Sequence, residues 1–336
     1  MKRRLEVFSG NEVIRETVPR KLGDPQEGEI PEGGGEALDG LFRQVEQELK
    51  TPYLIFDLDG TLFPYGQESM FIPATIKDYV AENKDMVDKF RRRIEWFRER
   101  GFHVMINTGR PVDFAQRAAR YLFPHGSIES IVGENGAVFA KREGDKDATE
   151  TSIEYPSYFN RDQVASFQEK CKPIVELAES LGGFLSPENK LVAVTLYPKE
   201  VGVPGEAAEK SRQLFCEEMR KGIESRGLQN ELIVHYPASV DITPLEVTKA
   251  RTEEEILGDK SVGVFFGDSS SDEEAMSTVA VNIALGNASP STKTQARRAE
   301  IGLVANFDRK DIKGVVDALS TMEAYMRLRK KKEKGQ

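Results

Sequence analysis

Apolar positions along this chain follow two spacings, and their alternation lays out an α/β order. Short runs dense in Leu, Ile, Val and Phe occur at Tyr53–Leu58, Val104–Asn107, Ile131–Gly133, Leu191–Tyr197, Leu232–Tyr236 and Val262–Gly267. Predominantly apolar runs of this length suit strands, and those of the main unit suit a parallel sheet buried on both faces. Helical spacing lies between them. Val87, Phe90, Ile94 and Phe97 fall three, four and three apart, on one face of a helix that Gly101 stops. Longer stripes run through Val164, Phe167, Cys171, Ile174, Ala178 and Leu181, and through Ser211, Phe215, Met219 and Ile223. A last helix carries Ile312, Val315, Leu319, Met322 and Met326.

Punctuation divides the chain. Residues 1–20 alternate weakly and predict a hairpin around Ser9-Gly10-Asn11, and Gly23–Glu36 is a Gly/Pro/Glu stretch too polar to offset chain entropy. Residues 37–50 read as a short helix leading into the first core strand. The division is then an N-terminal extension and linker (1–50), a parallel-sheet unit built from 51–139 and 238–326, an α/β insert (140–237) and a basic tail (327–336). With 336 residues, two domains are expected at ~100–200 residues each. The tail reads as a solvated helix end.

Composition narrows the function classes. Hydrophobic content of 39% and charged content of 31% fit a globular protein. A formal net charge of −9 argues against a general nucleic-acid binder, which needs clustered basic residues. Two cysteines and three histidines argue against a Cys/His zinc site, and the two thiols are expected to be reduced. No secretory leader and no run of ~20 apolar residues is evident, so the expected compartment is the cytoplasm. The N-terminal extension is a candidate contact for a protein partner, and nothing in it indicates which one.

The chemistry sits where apolar runs end. Tyr53-Leu54-Ile55-Phe56 gives way to Asp57-Leu58-Asp59-Gly60-Thr61, and residues i and i+2 of an extended strand point the same way. Asp57 and Asp59 are therefore expected side by side, two like charges that want a cation or a shared proton. Mg²⁺, with its preference for carboxylate oxygens, answers that need and leaves positions for phosphate oxygens. The alternative is a loop-end pair that caps a helix or binds a structural ion. Two further runs end in Thr108-Gly109-Arg110 and in Gly267-Asp268, followed by Asp272; Lys249 opens a predicted helix. In parallel α/β sheets, ligands bind beyond the carboxyl ends of the strands, so these segments would face one pocket.

Asp57-x-Asp59-Gly60-Thr61, Thr108, Lys249 and Gly267-Asp268-x-x-x-Asp272, in this order, resemble the four motifs of the haloacid dehalogenase-like phosphohydrolases, from about Pro52 to Leu319. The insert between the Thr and Lys motifs resembles the subgroup with a large α/β cap, which includes Cof-type sugar phosphatases and trehalose-phosphate phosphatases. The resemblance implies a Rossmann-like hydrolase core with an inserted α/β cap domain, and Mg²⁺-dependent hydrolysis of a phosphate monoester, a small sugar phosphate, through an aspartyl-phosphate. It implies Asp57 as nucleophile, Asp59 as general acid/base, and Lys249 as the cation that neutralises both Asp57 and the phosphoryl group. Thr108 and Gly109 would hold the phosphoryl oxygens. Asp57, the main-chain carbonyl of Asp59, and Asp268 would hold the metal, with Asp272 orienting Lys249 or a metal-bound water. Ser271 stands where Cof-type relatives carry Asn, and Asp272-Glu273-Glu274 looks more like the trehalose-phosphate group.

Several of these residues have plainer readings. Thr108 alone reads as a helix N-cap and Lys249 alone as a surface residue. Arg110 binds substrate or braces its loop. Candidate sugar contacts are Asn135, otherwise a turn residue, and Glu188 and Lys190, whose Glu-x-Lys spacing is otherwise a surface turn. Competing functions are a sugar phosphomutase and a catalytically inactive binding protein of the same fold.

Overall fold

The apolar run before Asp57 forms the middle of the main sheet. The computed structural model describes residues 3–9, 12–18, 51–64, 73–200, 203, 205–235, 239–258, 261–298, 301–304 and 310–333. The chain begins with a hairpin, β1 (Arg3–Ser9) and β2 (Glu12–Val18), then β3 (Thr51–Phe56), α1 (Pro73–Glu82), α2 (Lys84–Arg98), β4 (His103–Asn107), α3 (Val112–Leu122), β5 (Ile128–Gly133) and β6 (Val138–Lys141). The insert contributes α4 (Arg161–Ser180), β7 (Phe184–Leu185), β8 (Val194–Tyr197), α5 (Glu206–Ser225), β9 (Leu232–His235) and β10 (Val240–Pro244). The return runs through α6 (Lys249–Leu257), β11 (Ser261–Gly267), α7 (Glu273–Met276), β12 (Val281–Ala284), α8 (Pro290–Arg298), β13 (Ile301–Val304) and α9 (Asp311–Glu333).

The main sheet has the order β2-β1-β13-β12-β11-β3-β4-β5-β6. From β13 to β5 all pairings are parallel; β6 and the β1–β2 hairpin are antiparallel additions at the two edges. Alternation along β3 sends Leu54 and Phe56 into one buried layer and Tyr53 and Ile55 into the other. Leu54, Ile55 and Phe56 are wholly buried, each contributing about 1.5–3 kcal/mol over exposure. One layer is completed by α2, whose Val87, Phe90, Ile94 and Phe97 are buried as their spacing predicts. In the same layer α9 buries Ile312, Val315, Leu319, Met322 and Met326, and an Arg93–Glu323 ion pair of 2.7 Å ties the two helices.

Three details differ from the sequence reading. Leu181 falls at the C-terminal cap of α4 and is 40% exposed, because the stripe outlasts the helix. The N-terminal hairpin forms where the turn was expected, and it also extends the main sheet through β1–β13 pairing. The sheet of the insert, β7-β8-β10-β9, takes an interior strand from 240–244, beyond the expected boundary at 238. Val240 and Ile242 face the buried layer there, and no Gly- or Pro-rich joint marks the crossing back to Lys249. The predicted linker Gly23–Glu36 and the helix at 37–50 lie outside the described residues. Among the described residues no helix is long and apolar enough to cross a membrane. Cys171 is buried and, like Cys216, forms no disulfide.

Candidate active site

Adjacent parallel strands β11, β3 and β4 deliver their carboxyl ends to one place. The Asp57 amide donates to Phe266 O at 3.0 Å, so β3 stays paired up to the carboxylate. The chain then turns tightly. Leu58 O accepts from the amides of Thr61, Leu62 and Phe63, and Gly60 adopts φ +75°, a conformation glycine takes without a steric penalty.

Lys249 stands at the first turn of α6, behind Thr248, whose hydroxyl caps the helix by accepting from Arg251 N at 3.1 Å. It is not a surface lysine. Its Nζ donates to Asp57 Oδ1 at 3.0 Å and to Asp272 Oδ1 at 2.7 Å, and the residue is 3% exposed. Asp272 Oδ2 accepts from the amides of Asp268 and Ser269 and from Ser269 Oγ. Gly267 permits this approach: a Cβ there would stand 2.8 Å from Asp272 Oδ2.

Three carboxylates around one ammonium leave an excess of negative charge. Burial raises Asp57 to about 7, with Lys249 pulling it down and Asp272 and Asp59 pushing it up. Burial, then Asp272, Asp57 and Asp59, raise Asp268 to about 9. For Lys249, burial opposes the charge, but Asp272 and Asp57 outweigh it and hold the ammonium above its usual range. Such crowding calls for a second cation. Carboxylate oxygens of Asp57, Asp268 and Asp272 lie within 4.8 Å of one another. Asp268 Oδ1 is buried without a hydrogen-bond partner, whereas both Asp272 oxygens are taken. The oxygen donor set fits a hard divalent ion held by Asp57 and Asp268, with Asp272 orienting Lys249.

Asp59 faces the seam with the insert. Arg110 donates to both its oxygens at 2.7 Å, and to Glu188 Oε1 of the insert at 2.7 Å. Burial pushes Asp59 up, but the Arg110 guanidinium overrides it and keeps the carboxyl below its usual range. Lys190 Nζ donates to Gly109 O at 2.9 Å and to Thr195 Oγ1 at 2.5 Å. Arg110, Glu188 and Lys190 are thus drawn together. Thr108 is buried, its Oγ1 accepting from Arg110 N at 3.2 Å, and Pro111 rather than Thr108 precedes α3 as N-cap. Asn135 is also buried; its amide donates to Thr108 O, and its side chain closes over Gly109.

Sequence reasoning missed several supports. Asn287 Nδ2 joins Gly60 O at 2.8 Å to Asp268 Oδ2 at 3.1 Å, with only a Gly-Asn turn as signal. Glu253, four residues after Lys249, is wholly buried and accepts from Asn107 Nδ2 at 2.6 Å and Thr278 Oγ1 at 3.0 Å. In sequence it is one of three consecutive glutamates on a helix and looks solvated. Burial lifts Glu253 to about 8, against the pull of its two donors. A carboxyl raised on folding stabilises fully below its unfolded value and loses that contribution as pH climbs through the folded one. Stability should therefore decline from about pH 4.5 to about pH 8 more steeply in the parent than in Glu253→Gln, checked by denaturant unfolding across that range.

The profile of the haloacid dehalogenase-like hydrolases matches residues 54–178 and 206–318, and the chain belongs to that family. By family it is a hydrolase. No curated protein sequence matches significantly. Among solved structures, the C-terminal domain of C. albicans trehalose-6-phosphate phosphatase aligns with a TM-score of 0.56 at 15% identity, over 85% of this chain and 96% of that one. A haloacid dehalogenase-like hydrolase from Bacteroides thetaiotaomicron aligns at 0.50 and 15% identity, over 81% and 100%. At these identities the likeness is one of fold.

Proposed function

We propose that the protein hydrolyses a phosphate monoester, a trehalose-phosphate-like or other small sugar phosphate, with Mg²⁺ and through an aspartyl-phosphate on Asp57. The observation that carries this reading is Lys249 Nζ, buried between Asp57 Oδ1 and Asp272 Oδ1 beside the unpartnered Asp268 Oδ1. The Asp57 carboxylate attacks phosphorus, the bond to the alcohol oxygen breaks, and Asp59 protonates the departing oxygen. Water then attacks phosphorus, Asp59 takes its proton, and inorganic phosphate leaves Asp57. Arg110 holds Asp59 ionised. Before the first transfer Arg110 must therefore leave that carboxylate for the phosphoryl group or for Glu188, which it already touches, and Asp59 must take up a proton from water. Lys249 keeps negative charge tolerable on Asp57 as it forms and on the phosphoryl oxygens, which Thr108 Oγ1 and the Gly109 amide would bind. Asp57, Asp268 and the main-chain carbonyl of Asp59 would hold Mg²⁺, which when bound draws charge from the phosphoryl oxygens.

Two considerations support a sugar. Glu188 Oε2 is buried at the seam without a donor and suits a hydroxyl, with Lys190 and Arg110 beside it. The aligned C. albicans protein is a trehalose-6-phosphate phosphatase. The test is release of free phosphate from trehalose 6-phosphate and a panel of hexose phosphates. Absence of Mg²⁺-stimulated release from all of them would overturn the reading, and phosphoryl return to the sugar would indicate the mutase. Dialysis against EDTA should abolish turnover, and added Mg²⁺ should restore it. Asp59→Asn should lower turnover by about 10²–10⁴-fold with Mg²⁺ affinity kept, because its proposed metal contact is main-chain. Undiminished turnover would defeat the acid/base role.

A further inference from the structure

Leu191, Val192 and Ala193 have the composition of a strand, yet β8 begins only at Val194. Their amides go elsewhere. Glu134, at the turn beyond β5, accepts from Leu191 N at 2.8 Å on Oε1, and from Val192 N and Ala193 N at 2.7 and 2.9 Å on Oε2. Glu134 is 1% exposed, and a carboxylate that deep needs its charge met by donors. Successive amides aimed at one anion supply them. One side chain of the core thereby grips three consecutive peptides of the insert.

The turn that carries Glu134 is itself held in an unusual shape. Glu134 (φ 52°) and Asn135 (φ 56°, ψ 33°) are consecutive left-handed residues, neither of them glycine. Such backbone persists where the surroundings over-determine it. Here Glu134 N donates to Arg110 O and Asn135 N to Thr108 O, while Thr252 Oγ1 donates to Gly136 O. A Cβ on Gly136 would stand 2.1 Å from Thr248 O. The turn is wedged between the Thr108–Arg110 loop and the start of the Lys249 helix. The loop it captures bears Glu188 and Lys190, which reach Arg110 and Gly109.

We infer that Glu134 is a positioning residue: its carboxylate seats the 188–193 loop of the insert over the phosphoryl site and so builds the pocket for the leaving alcohol. The inference rests on the phosphatase reading for its kinetic consequence, and on geometry alone for the clamp. Glu134 touches neither the phosphoryl group nor the nucleophile. Its loss should weaken substrates whose alcohol meets the insert and spare those that need only the core.

Glu134→Gln keeps the side-chain shape but turns an NH₂ toward amides that are themselves donors. Amide exchange at 191–193 should quicken about 10-fold or more while the central strands stay protected. KM for trehalose 6-phosphate and glucose 6-phosphate should rise at least ~10-fold, with kcat/KM for p-nitrophenyl phosphate changed by less than ~3-fold. Glu134→Asp, which keeps the charge but withdraws it by one methylene, should show the same split at smaller size. Unchanged exchange at 191–193 would overturn the clamp, and parallel losses on all three substrates would overturn the positioning role. If the parent enzyme releases phosphate from none of the three in Mg²⁺, the phosphatase reading fails, and the exchange measurement still decides the clamp.

Discussion

Asp57→Asn should reduce phosphate release by about 10⁴-fold or more, the scale on which removal of a covalent nucleophile acts. The amide keeps the volume of the carboxylate and can still accept from Lys249 Nζ, so the fold has no reason to suffer. Stability should hold or rise, because the substitution removes one of three crowded acids in a buried site. Phosphate release and thermal unfolding on the same preparation separate the two effects. Robust turnover in the variant would remove Asp57 from the proposed role.

Lys249→Met is expected to damage both properties. Methionine fills similar space but leaves Asp57 and Asp272, formerly 3.0 and 2.7 Å from the ammonium, buried without their shared cation. Breaking a buried pair by deleting one partner costs about 3–5 kcal/mol. Loss of a charge that meets the developing phosphoryl charge lowers kcat by a further factor of about 10²–10³. At roughly 2–4 °C per kcal/mol for a unit of this size, the melting temperature should drop by about 10 °C. A variant as stable as the parent would mean that Lys249 does not neutralise these acids in solution.

Much of this site was legible in the residues. The continuous apolar run into Asp57-Leu58-Asp59 predicted a strand end with two acids, and the order of the later motifs predicted which segments would meet it. Lys249 does meet Asp57, across 192 residues of sequence. Its burial was not legible, since a lysine ahead of Thr252-Glu253-Glu254-Glu255 has the local signature of a solvated helix. Glu253 was hidden for the same reason. Leu191–Ala193 misled in the opposite direction: β propensity at those positions was overridden by a carboxylate 57 to 59 residues earlier in the chain.

By itself the sequence determined the α/β order, the buried faces of α2 and α9, and the set of acids at the strand ends. These follow from local periodicity and from motif order, which survive without knowledge of distant neighbours. Only the tertiary structure decided that 240–244 joins the sheet of the insert, that Arg110 bridges Asp59 to Glu188, and that Glu134 holds three amides of the insert. Those contacts arise because buried charges and amides must find partners wherever packing brings them, and no short-range pattern records where that will be.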